Sequence, residues 1–588
     1  MKRAFQLLLL LALPLVGNAQ EQKNHHLEVA KNLDIFNQIY KNLDLMYVDT
    51  LNPRQVIGNA INAMLHGLDP YTEYYPESET KNLKMMLTGK YAGVGALIRY
   101  HTKQKRVVID EPYEGMPAAE VGLKKGDIIL SIDDSVMTDK NVSYVSSHLR
   151  GEPGTSFLLK VERPSAGGKK MDFKVTRKNI KLPALPYYGL LEDGIGYINL
   201  NSFTEDCSKE VRRAYVDLKK QGASSLIFDL RSNGGGSEME AVDIVNLWVP
   251  KGQTIVENRG KVKRANHAYK TRFEPVDTLM PLVVLVNGET ASASEITSGS
   301  LQDLDRAVVL GTRTYGKGLV QLPLDLPYNT NLKLTTSKYY IPSGRCIQAI
   351  NYRRNGVGGY TERVPDSLTH VFYTRNGREV RDGGGIKPDL EVKADTMANI
   401  AFYLSASGQD STEVMFDWVV DYIAKHPTIA PVREFHLTDA EFADFKAHVI
   451  ASGFTYDPVS QKQLAELVKT AKFEGYYDDA KEAFDALEKQ LKHDVAKDID
   501  KNEEELRHLL EMSILTAYYY QAGTIEASLQ YDKQVKEAIR LLKNPEEYRK
   551  LLTPKDENKP KERALMPLKR EKDPNLTKTQ KIIWEMLA

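Results

Sequence analysis

Residues Leu282 to Gln321 constrain this chain more than any other stretch. Leu282–Val286 is a short apolar, β-rich run bounded by Pro281 and by Asn287-Gly288, which reads as a buried strand. The small-residue run Thr290-Ala291-Ser292-Ala293-Ser294-Glu295 follows, with helical spacing continuing to about Leu304, and Arg306 to Gly311 is again strand-like. Strand, helix and strand in one crossover make the two strands parallel. Parallel strands open their carboxyl ends on one edge, where open α/β sheets place their sites. Ser292 is therefore expected where the first strand turns into the helix. Lys317, between Gly316 and Gly318, is expected after the second strand on the same edge. A serine hydroxyl needs a base to become a nucleophile. Lysine can be that base when burial and a helix N-terminus disfavour its ammonium form. Gln321 is spaced to orient the amine. An isolated serine and lysine more often serve as a helix cap and a solvated turn residue, so the neighbouring residues must decide.

Those neighbours carry a resemblance. ETASASEI followed by TYGKGLVQ is similar to the signature of the C-terminal processing (tail-specific) proteases, a serine/lysine family. The family's Ser-Ala-Ser-Ala-Ser-Glu run appears here as Thr290 to Glu295, with Thr in the first place; its middle serine falls on Ser292. The Gly-Lys-Gly lysine falls on Lys317 and the family glutamine on Gln321. Leu332 to Gln348 and Asp382 to Leu390 also resemble family segments, so the likeness spans roughly residues 30 to 395. It implies an α+β multidomain chain. The protease core would be mixed α/β, built of crotonase-like ββα units, with an inserted PDZ domain and helical regions at both ends.

The 588 residues are too many for one core. A zero formal charge gives no support for a nucleic-acid partner. Lys2 and Arg3 precede an apolar run and small residues, so residues 1–19 read as a secretory signal peptide cut near Ala19. The mature chain is then expected to be periplasmic or otherwise extracytoplasmic. Residues 20–88 read as helical, with Val29, Leu33, Phe36, Ile39, Tyr40 and Leu43 on one apolar face. In the resembling proteases this region packs on the protease domain and often helps dimers form, so a homodimer is a candidate assembly; a lid on the core is the alternative reading. An adaptor protein is a further candidate partner.

Residues 89–178 resemble a permuted bacterial PDZ domain. Such domains bind a peptide as an added strand and hold its terminal carboxylate on backbone amides. The loop with Tyr91, Gly93, Val94, Gly95 and Ala96 is the candidate, because its glycines allow several N–H groups to face one anion. Arg150 is a candidate contact for a carboxylate or for the protease domain. The expected partners are proteins or peptides with accessible C-terminal tails.

Residues 179–395 form the expected protease domain. Ser224 to Leu230 reads as a buried strand, followed by Arg231-Ser232-Asn233-Gly234-Gly235-Gly236 and a helix. A glycine-rich turn at a helix start offers amides to a negative charge, which in acyl transfer is the oxyanion. Gly235 or Gly236, with Ala293, are the candidate donors. Gly234 stands where the resembling family has proline, which leaves the loop's rigidity open. A phosphate loop is disfavoured, because no Gly-Lys-Ser/Thr ending follows. Cys207 and Cys346 permit a disulfide, although two buried free thiols fit the usual burial of free Cys better. No Cys/His cluster has metal-ligand spacing, and the chemistry requires no metal or other cofactor. From 396 to 552 the chain reads as helices, among them Glu503 to Gln521 and a single helix Ile525 to Leu542. Residues 553–588 read as a charged linker with a short terminal helix. Two other function classes stay open: a catalytically silent PDZ scaffold, and a serine hydrolase with a histidine base, for which His267 is the nearest in sequence.

Overall fold

The computed structural model describes residues 2–80, 90–351, 362–405, 413–456, 459–491 and 494–554. The linker from 555 and the terminal helix expected around Trp584 lie outside them. The described residues divide into two compact units, one ending at Tyr74, the other running from Tyr75 to Asn351 and on from 362.

The first unit is helical. One helix spans Lys2–Met46, continuing across the expected leader boundary, and a second spans Pro53–His66. The second begins as its sequence dictates: the Asn52 side chain accepts from the Gln55 amide at 3.3 Å, and proline takes the first helical position. The face carrying Val29, Leu33, Phe36, Ile39 and Leu43 is exposed, Leu33 by 60%. Among the described residues no helix is long and apolar enough to cross a membrane.

At the centre of the second unit is a six-stranded sheet in the order 187–190, 195–199, 225–229, 282–286, 308–311 and 390–391. Its first pair is antiparallel and the rest are parallel. The expected crossover is present: Val283 stands opposite Val308 and Val286 opposite Gly311. Every residue of Leu282–Val286 is buried, as a strand covered on both faces requires. Helices Cys207–Lys220, Glu238–Val245 and Ala293–Asp303 cover one face, with Phe228, Trp248, Val284, Ile296 and Leu301 in the core between. The alternate side chains Tyr197, Ile227, Val283, Leu285 and Leu310 face the other way and meet Val535, Ala538, Leu541 and Tyr548 from helices Lys533–Leu542 and Pro545–Leu551. The Tyr548 hydroxyl accepts from the Leu282 amide and donates to its carbonyl, both at 3.0 Å.

A second sheet includes Thr254–Gly260, Leu319–Leu326 and Thr330–Tyr340. The PDZ region is an antiparallel sheet of Ala96–His101, Arg106–Pro112, Ile128–Ile132, Ser156–Arg163 and Lys169–Thr176, with helix Val142–Leu149. Its outer face is covered by helix Val414–Lys425, where Phe416 and Val420 pack on Val108 and Ile128. At the rim, His101 Nε2 lies 2.8 Å from Asp417 Oδ1, and the Thr102 amide donates to Glu413 Oε1 at 2.8 Å.

The C-terminal region departs from expectation in where its helices begin and end. Ile525 to Leu542 is not one helix: Glu503–Ser528 ends and Lys533–Leu542 begins anew. Asp532 caps the second, its side chain accepting from the amides of Gln534 at 2.9 Å and Val535 at 3.0 Å, and this local competition outweighs helical propensity. Helices Val495–Lys501 and Pro545–Leu551 were not expected, although Asp494 and Asn544-Pro545 are start signals for them. Cys207 is buried and Cys346 half-buried, and the two are not joined in a disulfide.

Because Leu541 is fully buried beneath the sheet, Leu541→Ala is expected to lower unfolding stability by about 2–5 kcal/mol. Leu467→Ala, on an exposed helix face, should stay within about 0.5 kcal/mol. Urea unfolding of the two variants measures the difference.

Candidate active site

Three adjacent parallel strands end at Asp229, Val286 and Gly311 on the same sheet edge, and each is followed by a loop. The middle loop carries Ser292 at the N-cap of helix Ala293–Asp303, with φ 58° and ψ −117°. A non-glycine residue in such a conformation costs on the order of 1–3 kcal/mol and persists only where its surroundings enforce it. The enforcing group is Glu295. Its carboxylate is fully buried and takes four donors: the Ser292 amide at 2.9 Å, the Lys317 amide at 2.9 Å, the Gly316 amide at 2.7 Å and the Thr314 hydroxyl at 2.5 Å. The amides of Ser292 and Lys317 share one acceptor atom, Oε2. Burial pushes the Glu295 carboxyl up to about 7, against the pull of its four donors.

A second bridge joins the same two residues from the other side. The Tyr339 hydroxyl, buried in the second sheet, lies within hydrogen-bonding distance of the carbonyls of both Ser292 and Lys317. Gly316 lets the lysine loop close: its φ is 88°, and a Cβ there would stand 2.2 Å from Ala349 Cβ. Lys317 itself is half-buried. The structure thus brings the backbones of the expected serine and lysine together through a shared carboxylate and a shared phenol. Gln321 lies further along, on Leu319–Leu326, where its side-chain amide donates to Thr335 Oγ1 at 3.1 Å. His267 lies on the short strand His267–Lys270, exposed, with its ring 4.2 Å from that of Tyr269.

The first loop, from Arg231 to Gly236, lies directly against the serine turn. A Cβ on Gly235, whose φ is 99°, would sit 2.8 Å from both Ala291 O and Ser292 Cβ and 2.9 Å from Ala293 N. Of the three expected oxyanion donors, Gly235 is already engaged, its amide donating to Asn233 Oδ1 at 2.9 Å. Gly236 and Ala293 are left as the candidates. Asn233, fully buried, organises the loop. Its side chain donates to Leu200 O at 2.7 Å, and its carbonyl accepts from the Ala291 amide at 3.0 Å and the Ser294 hydroxyl at 2.8 Å. These bonds hold the loop where the resembling family has proline and this chain has Gly234.

The expected peptide loop is also gathered. Lys90–Gly93 pairs with Lys178–Lys181, and the Arg150 guanidinium lies 5.3 Å from the Tyr91 ring centroid. The Gly151 amide donates to Ala92 O at 3.4 Å. Val94 O accepts from the Ala118 amide at 2.8 Å, which anchors the loop to the domain core. Burial pushes the Tyr91 phenol up, while Arg150 and the Gly95 amide pull it down. From Ala96 the chain enters an edge strand that, among the described residues, pairs with Arg106–Pro112 alone, with helix Val142–Leu149 packed beside it. Among the described residues no cluster of His, Cys, Asp and Glu could hold a metal ion.

Residues 194–357 match Peptidase family S41, residues 108–163 match the PDZ domain family, and residues 403–542 match the C-terminal helical domain of probable PDZ-proteases. The carboxy-terminal-processing protease of Bartonella bacilliformis is 33% identical over 331 residues, which is 56% of this chain and 75% of that protein. The chain belongs to peptidase family S41. It is a serine-type peptidase that carries a PDZ domain, and its relatives are carboxy-terminal-processing proteases. A probable CtpA-like serine protease of Staphylococcus aureus is 32% identical over 322 residues, 54% of this chain and 62% of that protein. Among solved structures, the photosystem II D1 C-terminal processing protease is similar, with 26% identity, 61% of this chain and 86% of that one covered, and a TM-score of 0.34.

In this S41 peptidase, sequence reasoning missed Glu295, Tyr339 and Asn233 as parts of the site. Glu295 had a signal, since a glutamate three residues after a helix-capping serine is a capping-box pattern; its second role, holding the lysine loop, is long-range. Glu295→Gln puts an amide where every neighbour is a donor. It is expected to lower peptide turnover by at least about tenfold, as sub-ångström misplacement of reacting groups does, while circular dichroism stays native-like.

Proposed function

We propose that this S41 peptidase is an exported endopeptidase that binds the C-terminal tails of protein substrates on its PDZ domain and cleaves them with a Ser292–Lys317 dyad. The observation that carries this reading is the single Glu295 oxygen accepting from the amides of both residues. In the proposed reaction the Ser292 hydroxyl attacks the scissile carbonyl carbon as its proton passes to the neutral Lys317 amine. The resulting oxyanion lies against the N–H groups of Gly236 and Ala293. The lysine ammonium then gives its proton to the leaving amine, and water hydrolyses the acyl-enzyme by the same route. Gln321 would orient the lysine through its side-chain carbonyl, a role favoured by the amide's donation to Thr335.

The edge strand Ala96–His101 supports addition of the substrate tail as a further strand, with Tyr91, Gly93, Val94, Gly95 and Arg150 beside the place for its carboxylate. The basic and apolar leader of residues 1–19 supports export to the periplasm or another extracytoplasmic space. The exposed apolar face of Val29, Leu33, Phe36, Ile39 and Leu43 supports a homodimer.

Ser292→Ala and Lys317→Ala are each expected to abolish cleavage of an unstructured protein tail, with unchanged thermal melting; full retention of turnover by either purified variant rules out the dyad. Amidating the terminal carboxylate of a peptide substrate should raise KM by about tenfold or more, the scale of a lost charge-assisted hydrogen bond. Equal KM for the two peptides would remove the tail-carboxylate part of the reading.

A further inference from the structure

The loop that lies against Ser292 is tied to the C-terminal helical domain by a half-buried ion pair between Arg231 and Asp532. Strand Ser225–Asp229 ends in Asp229, which is 2% exposed and accepts from the Tyr197 hydroxyl at 2.7 Å. Arg231, two residues on, turns back over it: its Nε donates to Asp229 Oδ1 at 2.9 Å and Oδ2 at 3.0 Å, and Nη2 to Oδ2 at 2.5 Å. That leaves Nη1, which reaches across to the start of helix Lys533–Leu542. There it lies 2.6 Å from Asp532 Oδ2 and donates to Gln534 Oε1 at 2.9 Å. Gln534 is itself 2% exposed and donates to Val392 O at 2.6 Å. Directly after Arg231 come Ser232, with φ 56°, and Asn233, whose side chain and carbonyl hold the Gly235 amide and the serine turn.

We propose that Arg231 and Asp532 are positioning residues for the oxyanion loop, so that the C-terminal helical domain sets how well the site stabilises the transition state. This rests on the catalytic assignment of the Ser292 loops made above. Three features carry it. Arg231 is the first residue of the loop, so any shift of its guanidinium is passed to Ser232 and Asn233 through one or two peptide units. Gly234 supplies none of the rigidity that a proline would, which leaves the loop dependent on its anchors. Asp532 is not needed by Asp229, whose charge Arg231 already meets; its place beside Nη1 instead fixes the arginine against a second, separate helix. The pair acts on turnover more than on binding, because neither residue lies on the PDZ edge strand.

The test uses Asp532→Asn in the full chain. Asparagine caps a helix as well as aspartate does, so the substitution removes the charge and keeps the helix start. With a tail peptide as substrate, kcat is expected to fall between about tenfold and a hundredfold, the range for a slightly misplaced catalytic group, while KM stays within about twofold. Hydrogen exchange of the 231–236 amides should quicken. Arg231→Gln combined with Asp532→Asn should lose no more than the worse single variant, since residues acting as one unit are non-additive. Asp395→Asn serves as a control: Asp395 is exposed and pairs with Lys533, not with Arg231, and should retain wild-type turnover. If Asp532→Asn shows unstable folding, Asp532→Ser, which also caps, takes its place. Wild-type kcat with unchanged loop exchange, or additive losses in the double variant, overturns the inference. Ser292→Ala run in parallel separates the two readings: turnover surviving in Ser292→Ala sinks the dyad and leaves the exchange and additivity results standing on their own.

Discussion

Glu295 is a fully buried carboxylate whose four donors come from two chain segments. A buried charge without partners is costly enough that it either finds them or neutralises. Here its helix supplies one donor from its own first turn, and the other three arrive on the loop Thr314 to Lys317. Satisfying this one group therefore obliges the loop to fold down onto the serine turn. Tyr339 then fixes the opposite side, its hydroxyl meeting the carbonyls of the same two residues. The left-handed backbone of Ser292 is sustained by these bonds, not by its own preference.

The same logic extends to the neighbouring loop. Asn233 spends its side chain and carbonyl on four partners, and in doing so presses Gly235 against the serine turn until no Cβ could be accommodated. Its amide is consumed in the process, which moves the oxyanion assignment to Gly236 and Ala293. The site is thus three strand ends with three loops, joined by a carboxylate on one side and an amide side chain on the other. Neither joining group takes part in the proposed proton transfers. Both restrict where the groups that do take part can stand.

Much of this was legible in the chain. The run Leu282–Val286 could only be a covered strand, and strand Val308–Gly311 after a small-residue helix could only return parallel to it, so Ser292 and the lysine loop had to share an edge. What stayed hidden depends on partners distant in sequence. Nothing local in Tyr339 announces that it will bridge two carbonyls, and nothing in Asn233 distinguishes it from an ordinary turn asparagine. The helix broken at Asp532 was hidden for the opposite reason. Apolar periodicity continues across it, and only the capping geometry of one aspartate restarts the register.

The helical C-terminal region was the least interpretable part of the sequence, and its packing gives it a structural necessity. A parallel sheet is apolar on both faces. In this chain the crossover helices of the protease region cover only one face, leaving Tyr197, Ile227, Val283, Leu285 and Leu310 to be covered by something else. Helices Lys533–Leu542 and Pro545–Leu551 supply that layer, and Tyr548 satisfies both polar groups of Leu282 as it does so. Helix Val414–Lys425 of the same region covers the outer face of the PDZ sheet. One region therefore buries surface on both the protease sheet and the PDZ domain. Neither sheet can keep its apolar face dry without it, which is why the protease and PDZ folds of this chain are physically inseparable from its tail.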